Sequence, residues 1–190
     1  MTSIDAGEIL GPMYKNIAHD SKLALDALDL TPGAALLDVG TGAGKSAIFL
    51  ASQGFDVTTG EPATDTSHYA NLDWADNAEK MGVREHIQFE AFDASQMPFA
   101  DASFEAVCFF GVLHHIDEGL RQAVLAESLR VATDKGAVIL LEPRKETLTK
   151  IWTNDPGHPE AANPADYLPD PKKAVQHMEG RMMEIFIIRK

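Results

Sequence analysis

The sequence predicts an α/β fold built around a mostly parallel sheet. Two patterns point there. Short apolar runs alternate with longer stretches of helical periodicity, an order that implies parallel strands joined by right-handed crossovers. The run Phe104 to Phe110 is almost wholly apolar, as a strand covered by helices on both faces should be.

The elements follow in order. Residues 5–29 form a helix with Leu23, Ala24, Ala27 and Leu28 on its apolar face, stopped by Thr31-Pro32-Gly33. Ala35 to Val39 is a buried strand. Gly40 to Gly44 is a glycine loop, and Ser46 to Ser52 is the helix behind it. Gly54 ends that helix, and Phe55 to Thr59 is a second strand. Residues 66–81 are helical and close at Gly82. His86 to Phe92 alternates apolar and polar, which predicts a third strand. Phe104 to Phe110 is the fourth. Glu118 to Ala132 is a helix, with Leu120, Val124, Leu125, Leu129 and Val131 in one half of its wheel. Gly136 to Leu141 is the fifth strand. Residues 182–188 pair with roughly 172–178 through Glu179-Gly180-Arg181. That join is too tight for a crossover, so one of these two strands runs antiparallel.

At 190 residues the chain is long enough for one α/β domain and short for two. We read residues 1–190 as one unit, with a helical cap over 1–30 and a Pro-rich loop over 153–171. The stretch Asp155 to Pro171 holds five of the ten prolines. So long a loop is functional or disordered, and we expect it to be poorly ordered without ligand. The net charge is −13, from 16 Lys and Arg against 29 Asp and Glu. A nucleic-acid binder needs a basic footprint, so no nucleic-acid partner is expected. The first residues lack the pattern of a signal peptide, and no apolar run is long enough to span a membrane. A cytoplasmic protein with no membrane partner is the expectation. The single cysteine, Cys108, lies in an apolar run and reads as a small core residue.

The glycine loop carries the sharpest chemistry. It lies beyond a strand's carboxyl end, where ligands of open α/β sheets sit. Glu61 ends the second strand, 21 residues after Gly40. A carboxylate there can accept hydrogen bonds from both ribose hydroxyls of an adenosine. Glycines alone would also make a plain tight turn. The strand before, the helix after and the acid at the second strand's end favour a nucleoside. A phosphate-binding P-loop needs its first glycine at position 39, which is Val39. A dinucleotide fingerprint needs its third at 45, which is Lys45. The spacing here is Gly40-x-Gly42-x-Gly44.

With that spacing, Leu36 to Gly44 resembles motif I of class I S-adenosylmethionine-dependent methyltransferases. Three further segments are similar to the same family in order. They are Phe92-Asp93-Ala94 with Met97 to Phe104, Val107 to His115, and Ala132 to Pro143. The likeness covers roughly residues 30–143 and is to the group that methylates quinone precursors and other small metabolites. It implies a Rossmann-like, doubly wound, seven-stranded, mostly parallel sheet with its last strand antiparallel. It also implies S-adenosyl-L-methionine as cofactor and a small-molecule methyl acceptor.

By the same resemblance, Gly40, Thr41, Gly42 and Gly44 line the amino-acid part of the cofactor. Asp38 orients the loop and attracts the ammonium group, or is simply a buried acid bonded to nearby amides. The Phe110 carbonyl also meets the ammonium. Asp93 accepts from the adenine amine and the Ala94 N–H meets the ring, although Asp93 could equally cap a turn. Pro62 offers the adenine an apolar wall, or merely stops the strand. His114 and His115 follow the fourth strand, where the methyl should sit. Either could take a proton from the acceptor, or both could only pack there, since methyl transfer often needs no base. His158 and His177 stand alone in the sequence, and no metal is expected.

The fourth-strand segment has Phe-Phe-Gly-Val where methylases of planar NH₂ groups carry Asn/Asp-Pro-Pro-Tyr/Phe. That turns the reading toward a small O, S, N or C nucleophile. After the fifth strand this chain departs from many relatives. Arg144 to Trp152 gives about two turns of helix before the proline loop, so the lid is thin. A protein that binds the cofactor or a related nucleoside without transferring methyl is the alternative, and a nicotinamide oxidoreductase is a third, disfavoured by the glycine spacing. A homodimer is compatible with the sequence, which does not name the oligomeric state.

Overall fold

The computed structural model describes residues 6–70 and 72–190. Its seven-stranded sheet has the order β3-β2-β1-β4-β5-β7-β6. The strands are β1 (Ala35–Val39), β2 (Asp56–Gly60), β3 (Ile87–Phe89), β4 (Phe104–Phe110), β5 (Ala132–Pro143), β6 (Val175–Glu179) and β7 (Met183–Arg189). β1 to β5 are parallel, and β7 runs antiparallel to both of its neighbours. The helices are α1 (Ala6–Leu10), α2 (Tyr14–Leu25), α3 (Lys45–Ser52), α4 (Trp74–Lys80), α5 (Glu118–Val131) and α6 (Lys145–Asn154).

Alternation along the strands sends side chains into two cores, one on each face. Leu36, Ala106, Cys108, Ile139 and Ile185 pack with α1 to α4. Leu37, Val107, Phe109, Val138 and Leu140 pack with α5 and with Ala162 and Leu168 of the proline loop. The continuous apolar run of β4 is therefore buried on both faces, as its sequence implies.

Several predicted elements are shorter than their patterns suggested. The helix expected over 5–29 is two helices, because Gly11 turns left-handed (φ 86°) ahead of Pro12; Asp5 lies outside the described residues. The helix expected over 66–81 begins only at Trp74, where the Asp73 carboxylate accepts from the Asp76 N–H and caps it. Residues 66–70, 72 and 73 are turns, bends and irregular chain instead. The third strand keeps only three residues. Leu120, placed on the apolar face of α5, is exposed, and Ser128 is buried there instead, donating to the Val124 carbonyl.

One contact holds the first helices to the far end of the chain. The Asp20 side chain on α2 is fully buried and accepts from the backbone N–H groups of Arg181, Met182 and Met183 at 2.7, 2.8 and 3.1 Å. Burial alone would raise its pKa. The bonds from Arg181, His19, Met182 and Met183 outweigh that and hold it below the usual carboxylate range. Gly180 leaves the room, since a Cβ there would lie 2.5 Å from the carboxylate carbon. A shallow groove of Lys22, Asp26, Pro32, Gln53 and Phe55 lies at the amino edge of the sheet. The candidate site is at the opposite edge.

Candidate functional site

β1, β2 and β4 deliver their carboxyl ends to one crevice, at the point where the chain order reverses between β1 and β4. The glycine loop forms one wall. Gly40 must be glycine: its φ is 89°, and an added Cβ would stand 2.6 Å from the Val112 side chain. The loop therefore presses directly on the segment that follows β4. Gly40 N–H donates to the Gly60 carbonyl at 2.8 Å, and Gly44 N–H closes the turn on Thr41 at 2.8 Å.

Glu61 sits at the end of β2, 8% exposed, and accepts from the Gly42 N–H at 3.0 Å. The acid predicted 21 residues on thus touches the loop itself. Beneath it Asp38 is buried beside Cys108 in the β1–β4 register. Thr59 donates to its Oδ2 at 2.7 Å and shares a 3.0 Å bond with Thr41, while Oδ1 has no hydrogen-bond partner. Burial raises the Asp38 carboxyl to about 6, against the lowering pull of the Ser46 and Thr59 hydroxyls, with the Glu61 charge adding to the rise. Burial likewise pushes the Cys108 thiol far up, so it packs as an inert core residue.

Asp93, Ala94 and Pro62 lie at the rim. Phe92 N–H donates to the Glu61 carbonyl at 3.3 Å, which brings the Asp93 segment beside Glu61-Pro62. Asp93 and Pro62 are exposed, and Asp93 does cap a turn, its Oδ1 accepting from the Ser95 N–H and hydroxyl at 2.8 and 2.7 Å. Ala94 packs partly against the second core. Phe110 ends β4, and the tight turn Leu113–His115 follows it.

That turn is built on a contact the sequence did not disclose. Glu142, near the end of β5, is 1% exposed. Its Oε1 accepts from the Leu113 N–H at 3.2 Å. Its Oε2 meets His114 Nδ1 at 2.7 Å and the Ala162 N–H at 3.0 Å. One carboxylate thereby joins β5, the turn after β4 and the proline loop. The loop is held at other points too. Trp152 Nε1 donates to the His158 carbonyl at 2.7 Å, and Arg121 on α5 donates to the Tyr167 hydroxyl at 2.8 Å and the His114 carbonyl at 3.3 Å. Ala162, Pro164 and Leu168 are buried. The expected loose loop is a packed wall.

His158 does not stand alone, as its sequence position suggested. Its ring lies 5.1 Å from that of His114 and 4.9 Å from that of His115. His115 is exposed at the rim but crowded. Lost hydration first, then the imidazoles of His114, His158 and His68, hold its pKa down at about 4, with Asp155 opposing. His177 instead pairs with Glu184 at 2.7 Å on the last hairpin. Tyr69 donates to Asp155 at 3.2 Å, and its carbonyl lies 3.2 Å from where a Gly42 Cβ would stand. The 61–70 segment therefore bridges the glycine loop and the histidine side of the crevice.

Residues 37–140 match the family described as a methyltransferase domain. The chain belongs to that family. Over 123 residues this methyltransferase domain is 35% identical to the demethylmenaquinone methyltransferase of Renibacterium salmoninarum, covering 64% of the chain and 46% of the relative. It is 34% identical over 114 residues to the 27-O-demethylrifamycin SV methyltransferase of Amycolatopsis mediterranei, covering 60% and 40%. The chain thus spans under half the length of these curated relatives. A SAM-dependent methyltransferase from Aquifex aeolicus shares the fold with a TM-score of 0.66 at 19% identity, covering 97% of this chain and 98% of that one. The [4+2]-cyclase SpnF matches at 26% identity with a TM-score of 0.56, covering 66% and 44%. Among the described residues, no helix is long and apolar enough to cross a membrane.

Proposed function

We propose that this chain binds S-adenosyl-L-methionine against the glycine loop and passes its methyl group to a small-molecule acceptor beside the turn after β4. The observation that carries this is the Glu61 carboxylate fixed on the Gly42 N–H at 3.0 Å, within a methyltransferase domain. The site suits that cofactor. A cationic ammonium favours a negative wall, and Asp38 lies beneath the loop with one buried oxygen unpaired. Gly40, Thr41, Gly42 and Gly44 line the amino-acid end, and the Phe110 carbonyl adds a second acceptor. Glu61 takes the ribose hydroxyls. Pro62, Asp93 and Ala94 hold the adenine, with the uncommitted Oδ2 of Asp93 reading the amine.

When bound, the cofactor supplies a methyl on a sulfonium, already a good leaving group. The chain's residues then have mainly to align the acceptor and exclude water. The helices before β1 and the 153–171 loop close that side within a single domain. Glu142 holds the Nδ1 proton of His114, so His114 keeps its lone pair on Nε2, which in the metal-free chain can receive a proton from an acceptor hydroxyl. The acceptor is a small metabolite, as the names of the two methyltransferase relatives suggest, and the acidic chain does not favour nucleic acid. The same reading places the protein in the cytoplasm, and a homodimer is compatible with it.

Calorimetry with S-adenosylhomocysteine tests the cofactor. Losing a carboxylate that accepts from ribose costs about 1.5–3 kcal/mol, so Glu61→Ala should weaken binding roughly tenfold to a hundredfold. A 2′-deoxy analogue should show little further loss in that variant. Unchanged affinity would overturn the reading. The likeness to a cyclase keeps a second reading in view, in which the cofactor is bound but no methyl moves. Transfer of labelled methyl across a panel of hydroxylated and quinol acceptors decides between them.

A further inference from the structure

We propose that His114, His115 and His158 form a binding site for a divalent transition metal such as Zn²⁺ or Co²⁺. One ligand nitrogen from each of the three lies within 4.8 Å of the others. Two of the rings are already set as ligands. His114 gives its Nδ1 proton to Glu142 at 2.7 Å, and its buried Nε2 has no hydrogen-bond partner. His158 gives its Nδ1 proton to the Pro159 carbonyl at 2.9 Å, which leaves its own Nε2 as the basic nitrogen. A metal-binding histidine commonly donates its other N–H to a carboxylate or a backbone carbonyl in this way, which fixes the tautomer and raises the ring's basicity.

The backing is buried and the front is open. His114 is 4% exposed and His158 is 9% exposed, while His115 lies at the rim. Zinc–nitrogen bonds of about 2.0–2.1 Å place tetrahedral ligands roughly 3.3 Å apart. Each pair of nitrogens must therefore close by about 1.5 Å at most; the exposed His115 side chain can swing that far, and the buried His114 and His158 rings need approach by no more than the same amount. Imidazole suits zinc, cobalt and nickel rather than magnesium or calcium. Three protein ligands leave a fourth position for water or another oxygen, as in metal sites that do chemistry. That this oxygen is the acceptor's hydroxyl rests on the methyl-transfer reading; binding of the metal does not.

The sequence hides the cluster. His158 is 43 residues beyond His115, across α5, β5 and α6. It returns to the turn after β4 because Glu142 binds both His114 and Ala162.

Chelator-stripped protein titrated with Co²⁺ and followed by visible absorption tests the site. The expected result is one ion per chain with the intense bands of tetrahedral cobalt, displaced by Zn²⁺. His115→Ala and His158→Ala should each weaken binding at least a hundredfold, and Glu142→Gln tenfold to a hundredfold. His177→Ala, on the remote hairpin, should bind normally. His115 is exposed, so loss of binding in its variant does not reflect a collapsed fold, and circular dichroism checks this. No stoichiometric binding, binding indifferent to both His115 and His158, or loss of binding in His177→Ala would each overturn the proposal. Transfer of labelled methyl to the acceptor panel, measured on stripped and loaded protein, tests the methyl-transfer reading separately.

Discussion

Replacing Glu142 by glutamine changes one atom and should loosen a whole corner of the molecule. The carboxylate accepts three bonds, from Leu113 N–H, His114 Nδ1 and Ala162 N–H. A glutamine has one accepting oxygen and one NH₂ group. If its oxygen takes the place of Oε2, the NH₂ faces the Leu113 N–H. If it flips, His114 can change tautomer, but the Ala162 N–H is orphaned. Either way one buried backbone N–H loses its acceptor, at about 1–3 kcal/mol, and the surviving bonds become neutral ones, weaker by about 1 kcal/mol each. Relief from burying a charge offsets part of this. The net loss is about 2–4 kcal/mol. At ~2.1 cal/mol/K per residue, 190 residues give an unfolding entropy of about 0.4 kcal/mol/K, so the melting temperature should fall by about 5–10 °C. Scanning calorimetry measures that fall. Hydrogen exchange should show lost protection at Leu113 or Ala162, with β1 unaffected. An unchanged or higher melting temperature would refute the argument, because the buried bonds would then be worth no more than the desolvation they require.

Other perturbations follow from the same geometry. Gly42→Val places a β-branched side chain at φ 47° and 3.2 Å from the Tyr69 carbonyl; S-adenosylhomocysteine affinity measured by calorimetry should fall more than tenfold while circular dichroism stays native. Asp38 is held to about 6 when folded against 3.8 unfolded, so the folded state binds the extra proton between those values. Its contribution to stability is therefore full below pH 3.8 and lost as pH rises through 6, about 3 kcal/mol in all. Asp38→Asn should remove that slope from the urea-denaturation profile and leave the free protein more stable at pH 7. Asp20 is shifted the other way, so its contribution is present above the unfolded pKa and lost as pH falls through the lower folded one. Asp20→Asn should cost about 2–4 kcal/mol at pH 7 by urea denaturation, and much less in acid.

Legibility in the sequence followed the range of the forces involved. β1 and β4 ended where their apolar runs ended, and Asp117 capped α5 where its pattern began. The glycine loop and Glu61 were readable because spacing along two adjacent strands fixes their meeting. Residues 66–70, 72 and 73 were misread as helix because their composition permits one, while the Asp73 cap starts the helix later. The third strand was overextended because its alternation runs on past Phe89, where the regular ladder with β2 stops and only single bonds from Glu90 to Thr59 and from Phe92 to Glu61 continue. Asp20 meets residues 161 to 163 positions away, and Glu142 meets Leu113 and Ala162 from opposite sides. No local pattern announces such contacts. His158 looked isolated for the same reason, since only the packed proline loop carries it to the histidine pair.

The place of β7 in the sheet governs when this molecule can finish folding during its synthesis. β7 is made after β6 yet lies between β5 and β6, hydrogen-bonded to both. Until it emerges, β6 has no neighbour in the sheet and the apolar edge of β5 is bare. The N–H groups of residues 181–183 that satisfy Asp20 are absent too, so α2 cannot take up its buried carboxylate until the final hairpin arrives. Contacts this distant along the chain close slowly. The helices α1 and α2, translated before every strand of the sheet, should therefore be among the last to lock, and a ribosome-bound chain halted before Met183 should expose β5 to aggregation or to a chaperone.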